Sequence, residues 1–566
     1  MKNKMAYAGS AMALMFGAGF LAPVGVYADG TISTFEELDS AICAGGSYTL
    51  GADIAANAWL GSQCNYVPSK DLTLDFNGHT VTSAEDKGYN LDFHDGTLTF
   101  KDSVGGGGYT QLGSGNIAIA ITNGKFVLDG GDINSVDWGV VLWHDSEMEM
   151  NGGSITTDTD SCISGNGVTD PSNSNYGANT KITINGGKIT SKNATGIYHP
   201  QMNGVLAIAG GEISGKDAGV EIRAGELNIT GGKISSASDV EYSVTANGSG
   251  STISGAAVAV SQHTTKLPLK VVISGGEFSG PVAFSEQNPQ QNGAEALAKI
   301  TTSITNGSFV ATGDEPIVVS EDVRNFITGG TYSKAPVDDY VAEGYKAIKT
   351  EAGYRVAEVL ESGSSVSEDG TEARANFAEP IEGENLAIQI ANSEMVEADM
   401  AKVSPFLKAV YDINVVNQDT NEIIAVDGNQ IDFALVLDAA DYEGMQYFKV
   451  VYIDDEGKLA EAFDTEVQTD TENGTITLLF STTHLSAYGV LASDTEFPAV
   501  LATESESTGD TVAAPETGIP TAVASTAQID RMISVIVTSS VVFVAVASVR
   551  KLQLMRWARA RKMHQA

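Results

Sequence analysis

The sequence predicts an all-β protein in which a parallel β-helix is followed by an antiparallel β-sandwich and a C-terminal transmembrane helix. The first observation is a phrase, apolar-x-Gly-Gly-x-apolar, that recurs between Gly130 and Tyr332. Most copies lie about 22 residues apart, which is the length of one coil of a parallel β-solenoid. The second observation is that these Gly-Gly pairs stop near residue 370 while alternating strands continue. The third is an uncharged run at residues 532–549, followed by a basic end.

The repeated phrase describes two strands joined by a tight turn. In the copy at 181–189, apolar and polar residues alternate before the glycines, so that every second side chain points inward. The Gly pair then turns the chain through positive φ without a Cβ clash. The next apolar residue faces inward again and stacks on its equivalents in neighbouring coils. The predicted buried column is Ile133, Ile155, Ile189, Ile213 and Ile234, continued by the weaker copies that end at Val258, Phe278, Phe309 and Tyr332.

Two of the steps between copies are longer than one coil. Their extra residues are polar insertions at 165–178 and 285–294. Insertions at the corners of a solenoid project on one side and often form its binding face. We therefore expect a ligand to bind near these two insertions.

The ends of the β-helix, which spans residues 29–360, are predicted to be caps. Residues 35–42 form a short amphipathic helix with Thr34 as its N-cap, and this helix is expected to cover the first coil. Residues 327–360 contain the last Gly-Gly phrase and are expected to close the other end.

A second module is predicted after a short linker. Residues 361–370 are rich in Ser, Gly and Glu and are interpreted as that linker. Residues 371–492 contain alternating strands separated by turns such as Asn473-Gly474, a pattern that predicts an antiparallel β-sandwich. His484 near its end is interpreted as a structural histidine.

Both termini carry targeting patterns. Residues 1–28 combine a charged start, an apolar run and a small-x-small site, which predicts a secretory signal peptide. Residues 493–531, rich in Ala, Thr, Ser, Glu and Pro, predict a disordered stalk. Residues 532–549 are long enough to span a bilayer. The basic tail, residues 550–566, places the C-terminus in the cytoplasm and the preceding part outside the cell.

Charge and cysteine content narrow the classes of function. The formal net charge is −40, and none of the 72 acidic residues lies in 1–28 or 532–566. Such a surface repels nucleic acid, so DNA and RNA binding are excluded. An acidic surface attracts calcium, but no calcium-binding motif is present, and no cofactor is expected.

Cys43 and Cys64 either pair after export or stay free, whereas Cys162 is expected to be a buried apolar residue.

Several stretches resemble parts of known bacterial proteins. Leu72–Val81 (LTLDFNGHTV) and Leu98–Ser103 (LTFKDS) resemble the start of right-handed parallel β-helix proteins of the pectate-lyase-like superfamily, in particular of bacterial surface proteins. Gly329–Ser333 (GGTYS) is similar to the ends of Gly-Gly-Thr-Phe-Ser repeats in gut and oral bacterial surface proteins. Ser481–Tyr488 resembles the close of small sandwich modules in surface proteins of the Gram-positive type. The resemblance implies a right-handed β-helix but no particular activity, because this scaffold hosts lyases, hydrolases, adhesins and inert stalks.

A sorting-like motif precedes the predicted transmembrane helix. It resembles the Leu-Pro-x-Thr-Gly motif that sortases cut between Thr and Gly, and its residues are Ala514, Pro515, Glu516, Thr517 and Gly518. It differs from that motif in Ala514 and in a longer spacer before Met532. The resemblance implies attachment to the cell wall by a sortase. The alternative is retention in the membrane by the C-terminal helix.

Chemistry on a polysaccharide is the main alternative from another class. A lyase needs acidic metal ligands on adjacent coils and a basic residue that abstracts a proton from a sugar. Arg223 is the only arginine between Asp29 and Glu321, and with Glu221 it is interpreted as a surface pair. A hydrolase needs clustered carboxylates, whereas aspartates beside Gly turns are ordinary turn residues. We therefore expect no enzymatic activity.

One short stretch holds the candidate ligand-binding residues. It contains two of the four tryptophans, and exposed aromatic rings stack on sugar faces or on a protein partner. The alternative is that one tryptophan belongs to the core, because positions five apart face opposite sides of a continuous strand. The candidates are Asp137, Trp138, Trp143, His144 and Asp145.

These observations predict a non-enzymatic cell-surface protein. It would be an adhesin whose elongated β-helix binds a glycan or a surface protein of a host or another microbe. It would lie on the extracellular face of the cell, held by the C-terminal helix or attached to the cell wall by a sortase. A surface-anchored polysaccharide lyase or glycosidase, and a purely structural spacer, are the two alternatives.

Overall fold

In a computed structural model of the chain, two compact units divide the protein, Met1–Ala357 and Glu358–Ala566. The predicted signal peptide, sorting-like motif, transmembrane helix and basic tail lie outside the described residues, as does nearly all of the predicted stalk. Within the described residues, no helix is long and apolar enough to cross a membrane. The structure describes residues 30–64, 70–83, 89–167, 179–248, 250–320, 323–426 and 428–498.

The first unit consists of short strands, most of which pair in parallel with strands one turn earlier and later in the chain. Its first half contains β1 (Gly30–Ile32), α1 (Phe35–Ala44), β2 (Gly46–Leu50), β3 (Ile54–Ala56), a 3₁₀ helix (Ser62–Cys64), β4 (Leu72–Asp75), β5 (Thr80–Ser83), β6 (Tyr89–His94), β7 (Thr97–Lys101), β8 (Gly108–Gln111), β9 (Ile117–Thr122), β10 (Lys125–Leu128), β11 (Asp132–Ser135), β12 (Trp138–Trp143), β13 (Glu147–Met150), β14 (Ser154–Thr157) and β15 (Ile163–Gly165). Its second half contains β16 (Lys181–Ile184), β17 (Lys188–Ser191), β18 (Ile197–His199), β19 (Val205–Ile208), β20 (Glu212–Gly215), β21 (Ala218–Ile222), β22 (Gly225–Ile229), β23 (Lys233–Ser236), β24 (Ser243–Val244), β25 (Ile253–Ser254), β26 (Ala256–Ser261), β27 (Leu269–Gly280), β28 (Val282–Gln287), α2 (Ala294–Leu297), β29 (Ile300–Ala311), β30 (Ile317–Val319), β31 (Thr331–Tyr332), a 3₁₀ helix (Asp338–Tyr340), β32 (Tyr345–Thr350) and the start of β33 (Gly353–Val366).

Each regular turn supplies one strand to each of three faces. Face 1 contains β4, β7, β10 and the strands stacked on them, and face 2 contains β5, β8, β11 and the strands stacked on them. The long strands β27 and β29 run through both of these faces. Face 3 contains β6, β9, β12, β15, β18, β21, β26, β28 and β30. The predominance of strands and the long parallel sheets agree with the predicted solenoid.

The inner side of face 2 is the column predicted from the Gly-Gly phrase. Its first five members, Ile133 to Ile234, pair in register and are at most 1% exposed. Phe278, Phe309 and Tyr332 continue it, with ring centroids 4.7 Å and 5.0 Å apart in the two stacked pairs. The assignment of Val258 to this column was wrong, because Val258 lies on β26 in face 3. The turn that contains it is lengthened by an excursion, residues 237–255.

We call residues 237–255 the strap, and this excursion was not predicted. It leaves the end of β23 on face 2 and returns at the start of β26 on face 3, and β24 and β25 pair inside it as an antiparallel hairpin. The predicted insertion at 285–294 is shifted, because residues 285–287 belong to β28 and the excursion spans 288–299 with α2 inside it. The other predicted insertion, 165–178, begins at Gly165, the last residue of β15, and its residues 168–178 lie outside the described part of the chain.

Helix α1 packs on the core of the first turn, as predicted for a cap. The Thr34 hydroxyl accepts a hydrogen bond from the Glu37 amide, and the Glu37 carboxylate accepts one from the Thr34 amide, which completes a capping box. Leu38 and Ile42 are buried in the solenoid core. A disulfide joins Cys43 at the end of the helix to Cys64, with their Cα atoms 5.6 Å apart.

The second unit contains two antiparallel sheets over a shared core. Its elements after β33 are β34 (Glu372–Glu382), β35 (Leu386–Asn392), α3 (Glu397–Val403), β36 (Leu407–Asn417), β37 (Ile423–Ile424), β38 (Ile431–Asp438), a 3₁₀ helix (Ala439–Tyr442), β39 (Tyr447–Ile453), β40 (Leu459–Ala462), β41 (Glu466–Asp470), β42 (Thr475–Thr482) and β43 (Ser486–Ser493). One sheet is formed by β33, β34, β38, β42 and β41, and the other by β35, β36, β43, β39 and β40, with β37 paired to β36. Phe433 and Leu478 of the first sheet pack with Ile413, Val450 and Tyr488 of the second.

The linker predicted at 361–370 is instead a strand end and a turn. Residues up to Val366 belong to β33 and pair with β34, for example Ser364 with Arg374. The turn that follows is closed by a hydrogen bond from the Ser367 amide to the Thr371 carbonyl. The small residues that indicated a linker therefore lie in an antiparallel hairpin.

Candidate functional site

The five candidate residues lie at the two ends of one strand. Asp137 and Trp138 are at the start of β12, and Trp143, His144 and Asp145 are at its end. Six residues of strand span roughly 17–20 Å, so the structure does not bring the five side chains into one site. Both tryptophans are partly exposed. The core positions of β12 are Val140 and Leu142, and the alternative that one tryptophan is a core residue does not hold.

Two carboxylates and a tryptophan meet at the start of β12. The Asp137 carboxylate accepts hydrogen bonds from the Gly115 amide and from the Thr159 hydroxyl. Burial raises the pKa of Asp160, the nearby Asp137 charge adds to the rise, and hydrogen bonds from the Ser161 amide and the Trp138 side chain oppose it. We call Asp137, Trp138 and Asp160 the acidic corner. Asp160 was not predicted. The repeat contained a signal for it, because its neighbour Thr159 follows Asp137 by 22 residues, which is one turn of the repeat.

The other end of β12 is fixed by hydrogen bonds to the next turn. His144 has a positive φ of 56°, which turns the chain out of the strand. Its carbonyl accepts a hydrogen bond from the Thr180 hydroxyl at 3.2 Å, and the Asp145 carboxylate accepts one from the side-chain amide of Asn179 at 3.0 Å. These hydrogen bonds give His144 and Asp145 a structural role in the corner that follows β12.

Arg223 and Glu221 are not the surface pair that the sequence suggested. Both side chains are 0% exposed, because the strap covers the outer side of face 3 where they lie. The Arg223 guanidinium donates to the Gly250 carbonyl at 2.7 Å and to the Asn247 carbonyl at 2.9 Å. A base that is to take a proton from a sugar must reach it, and this guanidinium is instead bound to the strap.

Glu221 holds the other half of the strap. Its carboxylate accepts hydrogen bonds from the Thr252 amide at 2.9 Å, the Thr252 hydroxyl at 2.6 Å and the Ser261 hydroxyl at 3.0 Å. Burial raises the pKa of Glu221 in spite of these hydrogen bonds and of the nearby Arg223 charge. Apolar contacts complete the attachment, because Ile253 and Tyr242 of the strap pack on small side chains such as Ala256.

Other excursions join the strap on the face 3 side. They leave face 3 at the ends of β26 and β28. The side-chain amide of Asn292 donates to the Gln262 side-chain oxygen at 3.1 Å and to the His263 carbonyl at 3.3 Å. Gln290 donates to the Asn247 carbonyl at 2.6 Å. We call the strap tip 243–248 together with residues 262–265 and 287–293 the loop surface.

Two histidines are buried in this part of the solenoid, His263 within the loop surface and His199 on β18. Burial lowers the pKa of His199 to about 4. Burial, with a contribution from the Arg223 charge, also lowers the pKa of His263 to about 4. Both rings are therefore neutral near pH 7. No group of three or more His, Cys, Asp or Glu side chains that would hold a metal occurs among the residues that the structure describes.

The described outer sides of faces 1 and 2 carry mainly charged and hydroxyl side chains. On face 2, positions 188, 212, 233 and 277 alternate lysine and glutamate in register. Hydroxyl side chains such as Thr190 and Ser214 lie beside them. On face 1, Lys181 pairs with Glu147 at 3.1 Å. Such exposed pairs contribute little free energy, and these faces have the appearance of a solvated surface.

Comparisons with known proteins give no assignment. The chain matches no protein-family model, no curated protein and no solved structure.

Proposed function

We propose that the chain is a non-enzymatic cell-surface protein, an adhesin that binds its target through the face 3 side of the solenoid. The observation that carries this proposal is the asymmetry of the three faces. The acidic corner, the strap and the long excursions all lie at the edges of face 3 or on its outer side. Faces 1 and 2 carry charge ladders and hydroxyl side chains.

In this proposal the solenoid is right-handed and the second unit is an antiparallel β-sandwich that spaces it from the cell. Residues 1–28 direct export, and residues 493–531 form the stalk. A sortase acting at Thr517, or the helix at 532–549, holds the protein on the extracellular side. The partner is a glycan or a surface protein of a host or another microbe.

The acidic corner supports binding because its aromatic ring and carboxylates suit a hydroxyl-rich partner. Trp138 is partly exposed and offers an apolar ring next to hydrogen-bond acceptors on Asp137 and Asp160. Sugars combine apolar ring faces with hydroxyl donors, and exposed aromatic rings stack on such faces. The enzyme alternative is less favoured, because Arg223, the only arginine between Asp29 and Glu321, is bound beneath the strap.

Attachment of cells that display the full chain tests the proposal. Trp138→Ala together with deletion of 288–293 is expected to reduce attachment to host cells or to other microbes by at least about tenfold. This corresponds to a loss of roughly 1.4 kcal/mol of binding free energy. The matched control, Lys188→Ala with Lys233→Ala on face 2, is expected to leave attachment unchanged. If both sets of variants attach like the parent chain, the protein is a spacer. If the parent chain releases products from polysaccharides, it is an enzyme.

A further inference from the structure

The loop surface differs in charge from the rest of this acidic protein. The net charge of the chain is −40, yet residues 242–265 contain no Asp, Glu, Lys or Arg, and neither do residues 287–293. The segment 193–211, which includes β18 and the corner after it, is also free of these residues. The first two of these segments thus bring uncharged residues together on the face 3 side of the described structure.

Two charged groups that lie beneath this surface, Glu221 and Arg223, are buried, whereas Lys266 and Glu295 are exposed at its edges. Glu221 and Arg223 are 0% exposed and are satisfied by the strap, so neither presents a charge to solvent. His263 is neutral near pH 7 because burial lowers its pKa to about 4. The groups that reach solvent include the hydroxyls and side-chain amide of the exposed Thr245, Thr264 and Gln291, beside the exposed apolar Val244.

Hydrogen bonds fix the segments that carry these side chains before any ligand binds. Arg223 holds the strap tip through the Asn247 carbonyl, and Gln290 ties the same carbonyl to the neighbouring excursion. Asn292 in turn anchors that excursion to Gln262. A polar surface that is held in this way loses little conformational entropy on binding, which favours affinity.

We propose that the loop surface binds a neutral, hydroxyl-rich glycan. This inference rests on the proposed function and names the class of its ligand. A sugar hydroxyl both donates and accepts, and amide and hydroxyl side chains supply both partners without a net charge. A uronate or sulfate meets the exposed Lys266 at the edge of this surface but is repelled by the negative charge of the protein as a whole. A polycation gains more from the acidic surface elsewhere than from a neutral patch.

Binding of the full chain to glycans of known charge tests this inference. The detergent-solubilised chain is immobilised and titrated with dextran, mannan and galactan as neutral probes, polygalacturonate as an anionic probe and chitosan as a cationic probe. At least one neutral glycan is expected to bind best. The triple variant Thr245→Asp, Thr264→Asp, Gln291→Glu places three negative charges on exposed positions and is expected to weaken that binding by at least about tenfold. The control Asn134→Asp, Thr301→Asp, Thr331→Asp adds the same charge to faces 1 and 2 and is expected to leave it within about twofold.

The outcomes separate this inference from the proposed function. Preference for polygalacturonate or chitosan overturns the inference and leaves an adhesin. If both triple variants bind the neutral glycan equally well, the binding site lies elsewhere. That result overturns the inference and leaves the proposed function standing. Cell attachment without binding to any glycan probe indicates a protein ligand and overturns the inference. Absence of both attachment and glycan binding overturns the inference and the function together. Equal circular dichroism and melting temperatures of the variants show that each of them is folded.

Discussion

Replacing Arg223 with methionine is expected to loosen the strap without unfolding the solenoid. The guanidinium makes two short hydrogen bonds to strap carbonyls, at 2.7 Å and 2.9 Å, and one longer contact to the Tyr198 hydroxyl at 3.4 Å. A hydrogen bond to a charged group contributes about 1.5–3 kcal/mol. Methionine keeps much of the packing but leaves the buried Glu221 without a nearby cation, a type of change that costs about 3–5 kcal/mol.

Amide hydrogen exchange of the full chain measures this loss locally. A cost of about 3–5 kcal/mol corresponds to exchange in the strap that is faster by a factor of about a hundred to several thousand. The double variant Glu221→Gln, Arg223→Met removes both charges and is expected to recover part of the loss. The control Lys233→Met breaks an exposed pair on face 2 and is expected to change exchange little. Strap exchange in Arg223→Met equal to that of the parent chain would refute the role assigned to Arg223.

The pH dependence of the same variant has a defined sign. The folded-state pKa of Glu221 is raised above its ordinary value of 4.5, so the folded protein favours the neutral carboxyl. The cost of the charged form is therefore present above the raised pKa and disappears as the pH falls through it toward 4.5. We expect the deficit of Arg223→Met to be larger at pH 8 than at pH 5. A deficit that grows on acidification would contradict this argument.

Three further predictions concern the rest of the chain. Phe309→Ala removes a ring stacked between Phe278 and Tyr332 and is expected to destabilise the solenoid by about 3–5 kcal/mol, measured by urea unfolding. Glu286 is 4% exposed, and burial raises its pKa. Glu286→Gln is therefore expected to raise the midpoint of urea unfolding more at pH 8 than at pH 5, and an equal change at both pH values would contradict this. Mass spectrometry of surface-released protein is expected to find a C-terminus at Thr517, whereas an intact end at Ala566 would refute sortase cleavage.

The sequence was sufficient to predict the parts of the fold that repeat. Alternation and the Gly pair fix which side of each strand is buried, and this local rule located Ile133, Ile155, Ile189, Ile213 and Ile234 in one column. The cap helix followed from its own N-cap at Thr34 and its apolar face. Both inferences depend on neighbours close in sequence, which is why they were reliable.

The strap shows where such local reasoning fails. Residues 237–255 are mostly small, with Asp239 and Glu241 as their two charged residues, and with the strand that follows they have almost the length of a coil. Ser254-Gly255-Ala256 was therefore mistaken for another copy of the phrase. The actual turn between Ile234 and Phe278 contains this excursion. The prediction of a linker at 361–370 failed for a similar reason, since Ser and Gly are also tolerated in the hairpin that β33 forms with β34.

The candidate site was only partly predictable. Asp137 and Trp138 were identified from composition, but their partner Asp160 comes from the next turn. The burial of Glu221 and Arg223 depends on a cover that arrives about 30 residues later in the chain, and spacing alone gives no sign of it. An isolated Glu-x-Arg on an outward-facing strand is exposed unless something folds over it.

Cysteine protection tests the central claim, that the ligand binds on the face 3 side, most directly. The native cysteines are a disulfide, Cys43–Cys64, and the buried Cys162, so an introduced exposed cysteine reacts selectively with a maleimide. Thr264→Cys on the loop surface is expected to react at least about tenfold more slowly when the best neutral glycan is saturating. Thr301→Cys on face 1 is expected to react at the same rate with and without it. Protection of Thr301→Cys, or equal rates at Thr264→Cys, would contradict the account.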